Sequence, residues 1–156
     1  MHKRYFTVEE ANEMVPFLEQ AFTRILQLRH HIGSIYQLLD VVDAAPESEE
    51  FDIELPGASP AVIHNRATLK ALMETVNEEL ATVRATGCLV KGVDTGLVDW
   101  YARRNGRDVF LCWRLGEDEV RHWHEVSAGV RGRRPIEEFY DASSEADETD
   151  AGVEPS

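Results

Sequence analysis

The dipeptide Asn105-Gly106 constrains the fold most strongly, because it separates two strand-like segments, GLVDWYARR and RDVFLCWRL. An Asn-Gly pair favours a two-residue type I′ turn, which needs positive φ angles at both central residues. The length of the turn also determines which residues face each other across the hairpin. The sequence therefore predicts an antiparallel β-hairpin in which Arg104 lies opposite Arg107.

This register gives the hairpin two different faces. The apolar face, which we expect to lie on helices, contains Val98, Trp100, Ala102, Val109, Leu111 and Trp113. The mixed face contains Leu97, Asp99, Tyr101, Arg103, Asp108, Phe110, Cys112 and Arg114. On the mixed face Arg103 is predicted to lie opposite Asp108, which is a favourable cross-strand pair.

A long amphipathic helix is predicted before the hairpin. Thr7 and Glu10 form a capping box, in which each side chain satisfies a free backbone N–H group at the helix start. Pro16 predicts a kink or a break, because proline lacks an N–H group and clashes with the preceding turn. The apolar stripe of this helix consists of Val15, Leu18, Phe22, Ile25, Ile32, Ile35, Leu39 and Val42.

A second amphipathic helix is predicted to start at Ser59-Pro60 and to stop at Gly87. Its apolar stripe consists of Val62, Leu69, Leu72, Val76, Leu80 and Val83. Two such helices joined by one loop are expected to form an antiparallel hairpin. Because a lone hairpin leaves apolar area uncovered, part of the stripe is interpreted either as core or as a coiled-coil-like seam of a homodimer.

Strand periodicity begins at Cys88, where CLVKGV predicts a short strand. The segment EVRHWHEV alternates as a strand, with a helix over residues 117–127 as the competing interpretation. The predicted fold class is α+β, a long antiparallel helical hairpin packed on a small antiparallel β-sheet of three or four strands. Residues 1–136 are predicted to form one domain, and residues 137–156 a disordered acidic tail with eight acids and no base.

Composition narrows the functional classes. The formal net charge of −13 argues against non-specific nucleic-acid binding by the whole molecule. No apolar run reaches the roughly 20 residues of a membrane span, and the first residues do not resemble a signal peptide. A cytoplasmic location is therefore expected, with Cys88 and Cys112 as free thiols.

The candidate site residues that could bind a metal or catalyse a reaction are Asp99, Cys112, Glu117, His122 and His124. His122 and His124 are two apart on the predicted strand, so with Cys112 they are candidate ligands of zinc or another divalent metal. The spacing matches no established zinc signature. Alternatively Cys112 is a nucleophile activated by a histidine and Asp99, or the whole region is an aromatic core.

The glycine- and arginine-rich loop SAGVRGRRP supports a third interpretation. Arg131, Arg133 and Arg134 are candidate binders of an anionic ligand or nucleic acid, although they are equally suited to pairing with the chain's own acids. The preferred function is a small cytosolic interaction or adaptor protein without a predicted cofactor, which self-associates through its helices and has an unknown protein partner. The alternatives are a metal-dependent enzyme and anion binding by this loop.

Four segments together resemble a known family. They are YFTVEEAN, VKGVDTGLVDW, NGRDVFLCWRLGE and WHEVSAGVRGRRP. In order and spacing they are similar to the uncharacterised prokaryotic family catalogued as domain of unknown function 2203. The resemblance covers residues 4 to about 136. It implies a small soluble prokaryotic protein and no particular activity.

Overall fold

The computed structural model describes residues 3–141, which group into two compact units. The sheet unit contains the residues up to Phe22 together with those from Val83 onward, and the hairpin unit is Thr23–Thr82. The single domain predicted over residues 1–136 thus contains two units. Their boundary falls inside both long helices, where an uninterrupted apolar periodicity carries no signal of a division.

The described chain forms helices and one antiparallel sheet. The helices are α1 (Val8–Asp40), α2 (Pro60–Ala85) and α3 (Ile136–Phe139), with a short 3-10 helix at Val130–Gly132. The strands are β1 (Leu89–Gly92), β2 (Leu97–Arg104), β3 (Arg107–Arg114), β4 (His122–Glu125) and β5 (Arg134–Pro135). The α+β class is confirmed.

The start of α1 is capped as predicted. The Thr7 N–H donates to Glu10 Oε1 at 2.9 Å, and the Glu10 N–H donates to Thr7 Oγ1 at 3.0 Å. Pro16 lies inside α1, which continues through it, so the alternative of two separate helices is wrong. The helix persists because its neighbours Val15 and Leu18 are fully packed into the core, which offsets the hydrogen bond that proline cannot make.

The sheet has the strand order β1-β2-β3-β4-β5, and every adjacent pair is antiparallel. Its strand number exceeds the predicted three or four because β5 has only two residues, one of them Pro135, and so shows no alternation. The β2–β3 register is as predicted, from Leu97 opposite Arg114 to Arg104 opposite Arg107. Asn105 and Gly106 have φ angles of 53° and 80°, which confirms the expected turn geometry.

The apolar face of the sheet packs against the first part of α1 within the sheet unit. Its six inward residues from β2 and β3 are at most 1% exposed. Trp100 Nε1 lies 3.4 Å from Met14 Sδ, and the rings of Phe22 and Trp113 lie 6.5 Å apart. These contacts confirm that this face forms the core on a helix.

Residues 117–127 contain a strand rather than a helix, because β4 pairs Trp123 with Leu111. Trp123 is fully buried on the apolar face. The guanidinium groups of Arg104 and Arg134 stack on it at 4.5 and 4.8 Å from the ring centre. A cross-strand partner and two stacked cations therefore stabilise β4 as a strand.

In the hairpin unit the two helices run antiparallel, as predicted. Arg24 pairs with Glu79 at 3.3 Å, whereas Leu39, further along α1, packs with Leu69, which lies earlier in α2. Val42 does not continue the apolar stripe; it is 57% exposed, because α1 ends at Asp40.

A buried arginine organises the loop between these helices. Arg66 donates to the backbone oxygens of Ala44, Asp52 and Ile53 at 2.6, 2.7 and 3.1 Å. These bonds compensate the cost of burying its charge and bring the ends of the loop to α2. No role for Arg66 follows from the sequence pattern.

The folded region extends slightly beyond the predicted boundary at residue 136. Arg104, on β2, donates to the carbonyl oxygens of Glu138 and Phe139 at 2.9 and 3.4 Å, which fastens α3 to the sheet. Most of the tail predicted to be disordered, residues 142–156, lies outside the described residues.

Candidate metal centre

The mixed face of the sheet brings polar residues of three strands together. Asp99 lies opposite Cys112, which lies opposite His122 on the next strand. In the adjacent row Phe110 lies opposite His124. Side chains two residues apart on a strand point to the same face, so His124 reaches diagonally across β3 towards Asp99.

Three of these side chains form a compact group. One ligand atom from each of Asp99, Cys112 and His124 lies within 4.8 Å of the other two. The three residues are 3%, 0% and 2% exposed. His122, which the sequence analysis paired with Cys112 and His124, is not part of this group, and Asp99 takes its place.

The hydrogen bonds of His124 define its tautomer. Its Nδ1 lies 2.7 Å from the Glu125 carbonyl oxygen, and because a carbonyl only accepts, Nδ1 carries a proton. Its Nε2 lies 3.1 Å from Asp99 Oδ2. A neutral ring would set an unprotonated Nε2 against a carboxylate oxygen, so this contact requires either a shared proton or a cation.

Without a cation the proton belongs to this pair. Burial by itself lowers the pKa of His124, but the hydrogen bonds to Asp99 and to the Glu125 carbonyl outweigh it and raise the pKa above the ordinary histidine value. The other oxygen of Asp99, Oδ1, is buried and has no hydrogen-bond partner among residues 3–141. A buried carboxylate oxygen without a partner is costly, and a metal ion would satisfy it.

The Cys112 side chain is a thiol rather than a thiolate. Burial first, and then the negative charge of Asp99, raises the pKa of Cys112 to about 12. At pH 7 such a group is almost entirely protonated, which argues against a nucleophilic cysteine in the metal-free protein. A metal ion bound to sulphur displaces the proton and so overcomes this barrier.

A cavity of about 260 Å³ opens onto Asp99 and His124. Its walls are mostly apolar and its one other charged side chain is Lys91, on β1. The lining residues besides these three are Leu97, Phe110, Val126, Gly129 and Val130. Val130, in the 3-10 segment, thus lies beside the mixed face, and the group borders a partly open cavity.

Glu117 and His122 belong to a neighbouring group. Glu117 accepts hydrogen bonds from the Arg114 N–H and from Arg133 Nη2 at 2.8 Å each, which stabilises the turn after β3. His122 Nδ1 lies 3.5 Å from Glu117 Oε2. Burial and then the positive charge of Arg133 lower the pKa of His122, so two histidines on one face of β4 have opposite shifts.

The three candidate anion-binding arginines differ in their surroundings. Arg133 is bound by Glu117, and Arg134 pairs with Glu138 at 2.9 Å while stacking on Trp123. Arg131 is exposed within the 3-10 segment. Two of the three cations therefore contact the chain's own carboxylates.

Sequence reasoning missed two contributors to the group. One is Lys91, an exposed residue at an irregular position of the edge strand β1, where a lysine gives no signal of a site. The other is the Glu125 carbonyl, which orients His124 and has no side-chain signal at all. Hydrogen bonds from the backbone depend on strand pairing and cannot be read from residue types.

The fold and this group define a small α+β protein with a buried Asp–Cys–His cluster on its sheet. The chain belongs to the family described as uncharacterized conserved protein, DUF2203, whose model matches residues 4–136. No curated protein and no solved structure matches the chain. In the part of the chain that the structure describes, none of the helices combines the length and apolar character needed to cross a membrane.

Proposed function

We propose that this protein binds a divalent transition-metal ion, with Asp99, Cys112 and His124 as its protein ligands. Oxygen, sulphur and imidazole nitrogen are donors that zinc accepts. Bonds of about 2.0–2.3 Å put tetrahedral ligands about 3.3–3.6 Å apart. The present separations lie within 4.8 Å, so metal binding requires only a small contraction of the group.

The orientation of His124 carries this proposal. Histidines that bind metals usually donate their second ring N–H to a backbone carbonyl or carboxylate, which directs the other nitrogen at the metal. His124 does so through Nδ1, and its Nε2 faces the buried Asp99 carboxylate. A cation between the two would replace the shared proton and also satisfy Asp99 Oδ1.

Three protein ligands beside a cavity favour a reactive over a purely structural site. Structural zinc sites are usually closed by four protein ligands, whereas catalytic sites keep one position for water or substrate. The cavity beside Asp99 and His124 has room for such a ligand. Both cysteines are free and buried, and we infer a reducing, cytoplasmic location that keeps Cys112 available.

The test is a titration of the reduced, metal-free protein with zinc, monitored by calorimetry and by native mass spectrometry. We expect one zinc ion per chain, bound tightly enough to survive gel filtration. Metal analysis of protein purified without chelator should then find a transition metal in similar amount. Absence of stoichiometric binding at neutral pH would overturn the proposal.

We also propose self-association through the helices, favoured by an exposed apolar patch at the end of α1. Leu38, Val41 and Val42, which follow one another at the i, i+3 and i+4 spacing of neighbours on a helix, are 55%, 72% and 57% exposed. Such patches are typical of interaction sites, and a two-fold dimer buries the same patch on both copies. The partner proposed here is a second copy of this chain. Two apolar patches pack against each other without opposite charges, which two copies of a strongly acidic chain would not supply.

Sedimentation velocity at micromolar concentration tests self-association. The native protein is expected to sediment at about twice the 17.7 kDa of one chain, and Leu38→Asp/Val41→Asp to return it to the monomer. Phe17→Asp, which changes an exposed apolar residue elsewhere on α1, is the matched control and should remain dimeric. A native protein that is monomeric throughout this range would contradict the proposal.

A further inference from the structure

Lys91 is a charged side chain at the cavity without an acidic partner. Its Nζ lies 4.9 Å from the centre of the Phe110 ring, and it takes part in no ion pair within the described chain. An unpaired ammonium group beside an apolar cavity is suited to hold the anionic end of a ligand.

The charges around the cavity favour a single negative charge on that ligand. Asp99 already faces His124, whose Nε2 lies 3.1 Å from Asp99 Oδ2, so Lys91 is the charged side chain of the cavity lining that a ligand is left to balance. With a divalent ion bound, the charges of the metal, Asp99 and a Cys112 thiolate would cancel. In both forms one negative charge on the ligand would match the single ammonium group of Lys91.

The size and walls of the cavity favour a small ligand with an apolar body. Its volume of about 260 Å³ lies below the range of about 300–1,000 Å³ typical of drug-sized ligands. Leu97, Phe110, Val126 and Val130 offer apolar surface beside the polar Asp99 and His124. Inorganic anions would leave this surface without a partner, whereas a short aliphatic chain would cover it.

A basic groove next to the cavity supports the same conclusion. Lys91 also lines a groove of about 580 Å³ together with Lys3, Arg4 and Arg84. Lys3 pairs with Asp108 at 2.9 Å, but the groove still holds several cations in a chain whose formal charge is −13. Such a concentration attracts anions to the mouth of the cavity.

We propose that the cavity binds a small organic monoanion, a carboxylate with a short aliphatic chain, whose carboxylate contacts Lys91 and the open position of the metal. The metal contact rests on the proposed function, whereas the Lys91 contact does not. The aliphatic chain lies against Leu97 and Val130.

Isobutyrate is the probe, and isobutyramide, which has the same shape without the charge, is its comparison. Binding is measured by chemical-shift titration of the metal-free and the zinc-loaded protein. We expect isobutyrate to bind both forms, more tightly with zinc, and isobutyramide to bind neither well. Lys91→Met should weaken isobutyrate binding at least about tenfold, since a hydrogen bond to a charged group is lost.

Arg84→Met is the matched control, because Arg84 lines the groove but not the cavity. Arg84→Met also removes one positive charge near the cavity. It should lower isobutyrate affinity by less than about threefold, since the charge of Arg84 is exposed and screened. Zinc binding with equal affinities for isobutyrate and isobutyramide, or no effect of Lys91→Met, would overturn this inference and leave the metal site intact. Lys91-dependent isobutyrate binding by a protein that does not bind zinc would support the inference and overturn the metal site.

Discussion

Replacing Asp99, Cys112 or His124 is expected to weaken zinc binding by more than about 100-fold. Loss of a group that merely orients a metal ligand already lowers metal affinity about 10–100-fold. Asp99→Asn and Cys112→Ser keep the shape of the side chain and remove the charge or the sulphur. His124→Gln removes the ring nitrogen. Affinities are measured by competition with a coloured chelator at fixed pH.

Two matched controls separate ligand loss from general damage. Cys88→Ser alters the other buried thiol of the sheet unit and should leave zinc affinity within about threefold of the native value, because the Cys88 sulphur contacts Thr86 and Val83 rather than the ligands. His122→Gln should do the same, although the sequence alone made His122 a candidate ligand. Circular dichroism confirms folding of each variant. A loss of affinity in His122→Gln that equals the loss in Cys112→Ser would contradict the assigned ligand set.

Zinc affinity is expected to rise steeply with pH, because metal binding displaces two protons. One is the proton shared by His124 and Asp99, which is present below the raised pKa of His124. The other is the Cys112 proton, which is present at all ordinary pH values because the pKa of that thiol is about 12. The affinity should therefore increase about 100-fold per pH unit below the pKa of His124, and about tenfold per unit above it.

The measurement is a chelator competition from pH 5.5 to 8.5, roughly the range in which histidine titrates, corrected for the protons of the chelator. Asp99→Asn should reduce the steep part of the profile, since the carboxylate that holds the proton on His124 is gone. An affinity that changes less than tenfold over the whole range would show that no thiol is displaced.

The sheet could be predicted well because local chemistry determines it. Asn105-Gly106 favours a tight two-residue turn between β2 and β3. Once that turn forms, the pairing of Trp100 with Leu111 follows. The apolar face of the hairpin must then be the face that packs on a helix. The two-residue strand at Pro135 has no such local determinant and depends on hydrogen bonding to β4.

The candidate centre could be predicted only in part, because it depends on diagonal neighbours. Asp99, Cys112 and His124 were all candidates on the sequence, but which histidine joined them was decided by the register of β4 against β3. A turn of several residues separates those strands, so the register does not follow from its sequence. That register sets His122 beside Glu117 and turns His124 towards Asp99.

The division into two units lies beyond sequence reasoning for a related reason. An amphipathic helix has the same periodicity whether it covers a sheet or another helix. Phe22 packs on Trp113, while Leu39 packs on Leu69, and both belong to the same apolar stripe along α1. Only the tertiary partners distinguish the two parts.

The absorption spectrum of the cobalt(II)-loaded protein tests the metal site most directly. Cobalt accepts the same donors as zinc, and its spectrum reports both geometry and sulphur coordination. One equivalent of cobalt is expected to give intense visible bands of tetrahedral coordination and a near-ultraviolet thiolate band, in the native protein and in Cys88→Ser. The thiolate band should be missing from Cys112→Ser. A spectrum like that of cobalt in water, or a thiolate band that persists in Cys112→Ser, would contradict the assignment of Asp99, Cys112 and His124 as a metal centre.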